Sequence, residues 1–548
     1  MVNKNLFKTS RGKQVPAATT VNSAGGAAYA MGPEAALAQL AFTGTFNDTF
    51  YQKAVDQLTG IRQAADKVSP TYIAQCALAA REKGFMKDMP AALAVILSKA
   101  DPVLLDRIFD RVIDNGRQVR NFVQFVRSGA FGRKSLGSGP KRLIRRWLDS
   151  RSDYAIFRAS VGNDPSLADV IKMVHPKPKT ESRRALYAYL IGKPHEFEAL
   201  PEIVQHYERF KKGEREGGVP NVDFRMLTSL PLRTEDWVEI AKKGRWHQTR
   251  MNLNTYSRHG VFEAKGMEKV ISDKLRDEAE IRRAKVFPYQ LLAAFLNTGP
   301  DQTANYGWFG RRNVSTKVED GLVPKSVRLA LQDALEIAVE NVPAFDGNVS
   351  VIVDVSGSMS QAVTGYRKGA TSKVRCVDVA ALIGATVCRK NPLAQVIPVD
   401  TSVHDPRDLN PRDSIMTNAQ KLAAYGGGGT RLGEAMNYIV RNAGTPDLII
   451  MVSDNESWCR GSYRGAGTET MSVFNKLRAK NPKLKMVCID IVANTTSQTV
   501  LGDGAIMNIG GFNDQIWTTI QRFVSGDGPS EWVAEIKAIS LDAPRVEG

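Results

Sequence analysis

The chain has 548 residues, 43% hydrophobic and 24% charged, a globular composition too long for one ordinary core. Its 74 Lys+Arg against 57 Asp+Glu leave a formal net charge of +17, which points to a polyanionic partner such as nucleic acid or an acidic membrane surface; a basic protein with no such partner has the same balance. Cys76, Cys376, Cys388, Cys459 and Cys488 are odd in number and form no CxxC pair, which argues against a disulfide framework or a structural zinc site and fits a reducing cytosol.

The first residues, "MVNKNLFKTSRGKQVP", contain no apolar signal core, and no segment approaches about 18 uninterrupted apolar residues. A soluble, cytoplasmic protein is expected. The charge divides unevenly. Residues 346–548 carry 21 Lys+Arg and 20 Asp+Glu, a net of +1, so residues 1–345 carry +16. Two domains are expected, 1–345 and 346–548.

Residues 1–345 read as helices. "AQCALAAREKG" and "PAALAVILSKA" come first. In "DPVLLDRIFDRV" the residues Leu105, Ile108, Phe109 and Val112 recur at i, i+3, i+4 and i+7, one apolar helical face. "GRKSLGSGPKR" is a glycine-rich basic loop, followed by Arg142, Arg145 and Arg146 in one helical turn. These arginines suit a phosphate contact or a solvated face equally well. His175 lies in "KMVHPKPKTESRR" beside Lys172, Lys177 and Lys179. From the residues alone a solvated basic loop is the better reading there. "ESRRALYAYLIGK", "EDWVEIAKKGRW" and "YQLLAAFLNTG" continue the helical pattern, with no strand signal and no strict period. Stacked helix pairs of the HEAT-like α-solenoid kind follow. "GRWHQTRMNLNTYSRHG" interleaves Trp246, His247 and Tyr256 with Arg245, Arg250 and Arg258, as stacking on single-stranded RNA requires, although aromatics at helical spacing are more often core. "NTGPDQTANYGWFGRRN", residues 297–313, reads as an exposed excursion.

Residues 346–548 change character. "NVSVIVDVS", "AQVIPVD", "DLIIMVSD" and "LKMVCIDIVAN" are strand-length runs separated by helical stretches. "VDVAALIGATV" sets Val379, Leu382, Ile383, Thr386 and Val387 on one face, and "RLGEAMNYIVRNAG" stops on glycine. Alternation of this kind predicts an α/β, doubly wound parallel sheet, whose ligands lie beyond the carboxyl ends of the strands.

"VIVDVSGSMS" ends a strand on Asp354 and places Ser356 and Ser358 two and four residues on. Three oxygens at one strand end suit a hard divalent cation such as Mg²⁺. Thr430 follows the four glycines of "YGGGGTRLGEA", and Asp454 ends a further strand in "LIIMVSDNES". The five residues could instead cap turns and helix starts. Together they resemble the metal-ion-dependent adhesion site of von Willebrand factor A domains. That resemblance implies direct binding of the cation by the aspartate and both serines, with a partner's acid completing the shell. GxxxxGK[ST], HExxH and GxSxG are absent, and Asp454 and Glu456, which flank one residue on a tight strand-end turn, leave only one of the two free to face the metal, so catalysis is not expected. A Mg²⁺-dependent hydrolase would need a second metal or a base near Asp354.

A basic helical domain followed by one such A domain, with "FVRSGAFGRKSLGSGPKR", "MVHPKP", "KVFPYQLLAAFL", "VDVSGSM", "GGGGT" and "SDNES", resembles the Ro autoantigen family, the proteins with a TROVE module. The resemblance covers essentially the whole chain. It implies a ring of helical repeats closed by the A domain. It implies binding of small noncoding Y-type RNA on a basic outer surface and of single-stranded 3′ ends of misfolded RNAs through the central hole, in RNA quality control. In bacterial members it implies association with the exoribonuclease polynucleotide phosphorylase. It raises Lys134, His175 and Lys177 to RNA-binding candidates beside Arg142, Arg250 and Arg258. The chain departs from the family pattern at 135–140 and at Gly162 and Asp164, where charge would be expected. The alternative is a scaffold whose A domain recruits a protein through the metal.

Overall fold

The computed structural model describes residues 15–162, 164–283, 286, 288–299, 323–340, 342–366, 373–406, 409–442, 444–458, 467–513, 515–528 and 531–542. Most of the expected excursion at 297–313, and Cys459, lie outside these residues. The chain forms two compact units that interleave along the sequence. One comprises Met1–Val112, Gly129–Arg133 and Asn341–Arg545; the other comprises Ile113–Ser128, Lys134–Glu340 and Val546–Gly548. Counted this way, the net charge is +7 for the first unit and +10 for the second.

The first unit is built on a five-stranded parallel sheet. Its strands are β3 (Val349–Asp354), β4 (Gln395–Val399), β5 (Leu448–Ser453), β6 (Lys485–Asp490) and β8 (Ile506–Gly510), in the order β4-β3-β5-β6-β8. From β3 the chain crosses to β4 on one side and then to β5 on the other, so the winding reverses beside β3. Ile352 lies level with Ile397 and Met451, and Met451 with Cys488. This row packs on helices Leu432–Asn442 and Glu469–Lys480 through Leu432, Met436, Met471 and Phe474. On the opposite face lie Val353 and Val396, covered by helix Cys376–Lys390 at Gly384. Both faces are therefore dry, as the unbroken apolar strands predict.

The expected face of helix Cys376–Lys390, Val379, Leu382, Ile383, Thr386 and Val387, is buried. Every residue from Cys376 to Cys388 is buried, not only one face. The sheet lies on one side, and helix Ile415–Ala423 packs on another.

A correction concerns the expected absence of strands before residue 345. β1 (Thr20–Val21) and β2 (Ala27–Ala30) pair antiparallel, and β2 pairs with β7 (Thr496–Ser497). "AAYA" has no strong strand preference of its own. It is extended because a partner more than 450 residues away supplies its hydrogen bonds, a case of tertiary context overriding local propensity.

The second unit is helical among its described residues. Helix Leu167–Val174 packs on Gly116–Arg127, Ser138–Asp149 and Glu181–Ile191. Further along, Met267–Arg276 and Pro288–Thr298 pack on Lys325–Ala338. Side-chain caps fix several starts: Ser152, Ser166 and Thr180 each accept the N–H three residues on.

Gly384 marks the closest approach of helix to sheet, since a Cβ there would stand 2.7 Å from Val353 Cγ2. Gly384→Val should destabilise the first unit by about 1–3 kcal/mol through overpacking, read as a lower urea midpoint at unchanged m-value.

Candidate functional site

Asp354 ends β3, is fully buried, and is held from both sides. Its Oδ1 accepts the Ser356 N–H at 2.9 Å, and its Oδ2 accepts the Ser453 hydroxyl at 2.5 Å. Ser356 then starts a short 3₁₀ turn, Gly357–Ser360, which brings Ser358 Oγ within 3.3 Å of Ser356 Oγ. The glycine loop lies directly on this turn: Gly357 N–H donates to Gly428 O at 2.8 Å, and Gly427 N–H to Val355 O at 3.0 Å. Gly426 has φ +85°, and a Cβ there would collide with the Val355 carbonyl. Only glycine satisfies both the conformation and the approach. Thr430, at the end of that loop, is buried, and its carbonyl accepts the Trp458 N–H at 3.0 Å. The loops after β3, before helix Leu432–Asn442, and after β5 are thus tied into one cluster.

Asp454 follows β5 and is 1% exposed. Its Oδ1 accepts the Glu456 N–H at 3.3 Å, while its Oδ2 is buried without a hydrogen-bond partner among the described residues. Burial, then the neighbouring Asp354 charge, pushes the Asp454 carboxyl up to about 8, with the Ser358 hydroxyl opposing. Burial likewise raises Asp354. An orphaned carboxylate oxygen in a cluster of loops that also carries the buried Ser356, Ser358 and Thr430 is what a hard cation would satisfy, and all these side chains offer oxygen. Among the described residues no group of three or more His, Cys, Asp or Glu is placed to hold a metal. The donor set here is two aspartates and hydroxyls instead.

Glu456 is also buried, but it faces elsewhere. Its Oε2 accepts the Ala24 N–H at 3.1 Å, from the turn between β1 and β2. Two further acids at strand ends were not singled out from the sequence. Asp400, following β4, accepts Ser402 N–H at 3.0 Å and Gly428 N–H at 3.1 Å and so fixes the glycine loop. Asp490 ends β6 fully buried, its carboxyl raised by burial, with Asn455 Nδ2 at 3.4 Å from Oδ2. The signal existed: each is the terminal acid of an apolar strand run in the sequence.

The basic candidates all fall in the second unit. Lys134, Arg142, His175 and Lys177 are exposed. Arg142 lies on helix Ser138–Asp149, whose Arg145 Nε donates to Val174 O at 2.5 Å, the residue before His175. His175 is the left-handed cap of its helix, φ 50°, and turns the chain into the 176–179 loop. Arg258 is exposed at a helix end. Arg250 is half-buried: its Nη1 donates to Gln290 O at 2.7 Å, and desolvation lowers its pKa to about 10.

The stacking expectation for "GRWHQTRMNLNTYSRHG" is corrected. Trp246 and Tyr256 are 1% and 0% exposed, and the Trp246 indole donates to Leu275 O at 3.2 Å. Both rings are core, so neither offers a face to a base. Gly162, where the sequence departs from the family, stands against the buried Arg120 guanidinium, which fills the space a side chain would need.

A helical protein carrying a doubly wound domain with an aspartate, two serines, a threonine and a second aspartate gathered at the sheet's carboxyl edge belongs to the class with a von Willebrand factor A fold. Residues 348–524 match the family model of the Ro60 vWA domain. The chain is similar in fold to the Ro (RSR) protein of Deinococcus radiodurans in its crystal structure, with a TM-score of 0.60 and 16% identity over 90% of this chain and 100% of that one. It therefore has the fold of a Ro protein. No curated protein sequence matches it. No described helix is long and apolar enough to cross a membrane.

The raised carboxyls set a pH dependence. Asp454 has a folded value above its unfolded one of about 3.9, so the folded state holds its proton longer. Its stabilising effect is complete below about pH 4 and is lost as pH rises towards about 8. In EDTA, the urea midpoint should fall between pH 5 and pH 8, and Asp454→Asn should flatten that fall.

Proposed function

We propose that this protein binds RNA through the second unit and acts without catalysis, as a ribonucleoprotein component in RNA quality control or processing. The observation that carries the proposal is the exposed set Lys134, Arg142, His175 and Lys177, gathered on and beside helix Ser138–Asp149 in a unit of net charge +10. Cations on a rigid helical frame neutralise phosphates and release counterions. Lys134, His175 and Lys177 fit the family resemblance in "MVHPKP" and "AFGRK". On that resemblance the RNA is a small Y-like RNA at this surface, with single-stranded 3′ ends of misfolded or structured RNA bound elsewhere, where Arg258 is the accessible candidate. A 3′-to-5′ exoribonuclease such as polynucleotide phosphorylase is the protein partner the resemblance suggests. With Trp246 and Tyr256 in the core, the affinity for a single strand would rest on phosphate contacts or on other rings.

We also propose that Asp354, Ser356, Ser358, Thr430 and Asp454 hold Mg²⁺ or another divalent cation. Bound there, the ion would neutralise the two desolvated carboxylates and fix the three loops that carry them. The residues' own work is to supply a preorganised oxygen cluster. Ser453 and the Ser356 amide orient Asp354, and Asp400 orients the glycine loop.

Affinity for a structured RNA with a 3′ tail, in a filter-binding assay, should fall by about 10³ or more between 50 and 200 mM salt if six or more phosphates are contacted. Lys134→Ala, Arg142→Ala and Lys177→Ala should each flatten the salt slope by about one unit. A flat salt response in the wild type would remove the second unit as the RNA surface.

Asp354→Ala should abolish Mg²⁺ binding by calorimetry while leaving RNA affinity within about twofold, because the cation lies in the other unit. A well-folded variant that lost RNA binding as well would overturn this division of labour.

A further inference from the structure

Arg142, Arg145 and Arg146 are exposed on a helix whose Leu143, Ile144, Trp147 and Leu148 are buried. Composition gives the three arginines one role, but the structure separates Arg145 from the other two. Its Nε donates to Val174 O at 2.5 Å, so helix Ser138–Asp149 is tied to the last residue of helix Leu167–Val174, within the second unit.

The sequence "VHPKP" explains why that carbonyl takes a donor from another helix. The last four carbonyls of a helix have no intrahelical partner, and the amides of the following residues often meet them. His175 gives its N–H to Ile171 O at 3.0 Å. Pro176 and Pro178 have no N–H to give, which leaves Lys177 alone with an amide among residues 176–178. An arginine from a neighbouring element can cap such an end, and Arg145 does.

The loop held in this way is stiff. His175 is fixed in the left-handed region at φ 50° and ψ 62°. Lys177 precedes Pro178, which biases it towards extended backbone. At the far end Thr180 Oγ1 accepts the Arg183 N–H at 3.1 Å and starts helix Glu181–Ile191. His175 and Lys177 are exposed on the loop, and Arg142 is exposed one helical turn before Arg145.

We infer that Arg145 is a positioning residue of the RNA surface: through Val174 O it fixes Arg142 relative to His175 and Lys177, instead of meeting a phosphate itself. This rests on the proposed RNA surface. Cations held at a set separation can meet successive phosphates together without a further cost of ordering, whereas a loosened loop must be ordered on binding.

The test is a double-mutant cycle on the full chain, by filter binding of a structured RNA with a 3′ tail, with circular dichroism and Tm to follow the fold. In an otherwise wild-type chain, Lys177→Ala should weaken binding and flatten the salt slope by about one unit. In the Arg145→Ala background the same substitution should cost at least about threefold less, because the loop has already lost its place. Arg258→Ala, on another helix, should cost the same in both backgrounds. Should Arg145→Ala unfold, Arg145→Met keeps the aliphatic length of the side chain without its donor and takes its place in the cycle. Equal losses for Lys177→Ala in both backgrounds would make Arg145 an independent contact and overturn the positioning role, while the RNA surface stands. Coupling of Arg258 as strong as that of Lys177 would mark a general loosening of the unit and overturn the role as well. A wild type that binds no RNA at about 50 mM salt would overturn the RNA surface, and the positioning role with it.

Discussion

The structure turns on the desolvation of carboxylates at one edge of a parallel sheet. A sheet covered on both faces must end its strands in a crevice, and this chain ends them on acid: Asp354 and Asp490 close β3 and β6, and Asp400 and Asp454 follow β4 and β5. A buried charge without compensation is costly, so each acid must find donors, a proton or a cation. Asp354 finds Ser453 and the Ser356 amide; Asp400 finds the amides of residues 402 and 428. Asp454 keeps one oxygen without a partner. That residual demand is the strongest physical argument for a cation at this edge.

The loops around the edge answer to the same demand. Gly426 lets the glycine loop reach the Val355 carbonyl, and the loop in turn places Thr430. Asn455, in the left-handed region at φ 66°, hands its side chain to Thr496 O and Gln498 N–H, which connects the loop after β5 to the small sheet of β1, β2 and β7. A chain segment around residues 20–30 therefore belongs to the domain of the parallel sheet by packing, though not by sequence order. Charge follows the same regrouping. The split of +16 and +1 along the sequence becomes +10 and +7 when residues are counted by compact unit. The basic character of the second unit remains, and with it the candidate RNA surface.

Much of this was legible from sequence because it is local. Strand runs ending in Asp354 and Asp454, the D-x-S-x-S spacing, and the apolar face Leu105, Ile108, Phe109 and Val112 express the periods of strand and helix, and the corresponding elements form. The fold class and the five residues gathered at the sheet's edge follow from such short-range rules together with the one topological rule for parallel sheets.

What only the tertiary structure decided is which side each side chain faces and what distant chain lies against it. Trp246, Tyr256 and Arg250 sit in a stretch whose composition suits RNA stacking, yet packing turns both rings into the core and the guanidinium onto Gln290 O. "AAYA" becomes a strand because Thr496 and Ser497 lie beside it, and the Phe50 amide meets the Gln361 side chain 311 residues further along the chain. No local period encodes such contacts. They arise when surfaces that are each tolerable alone bury one another, and the free energy that selects them is a property of the pair.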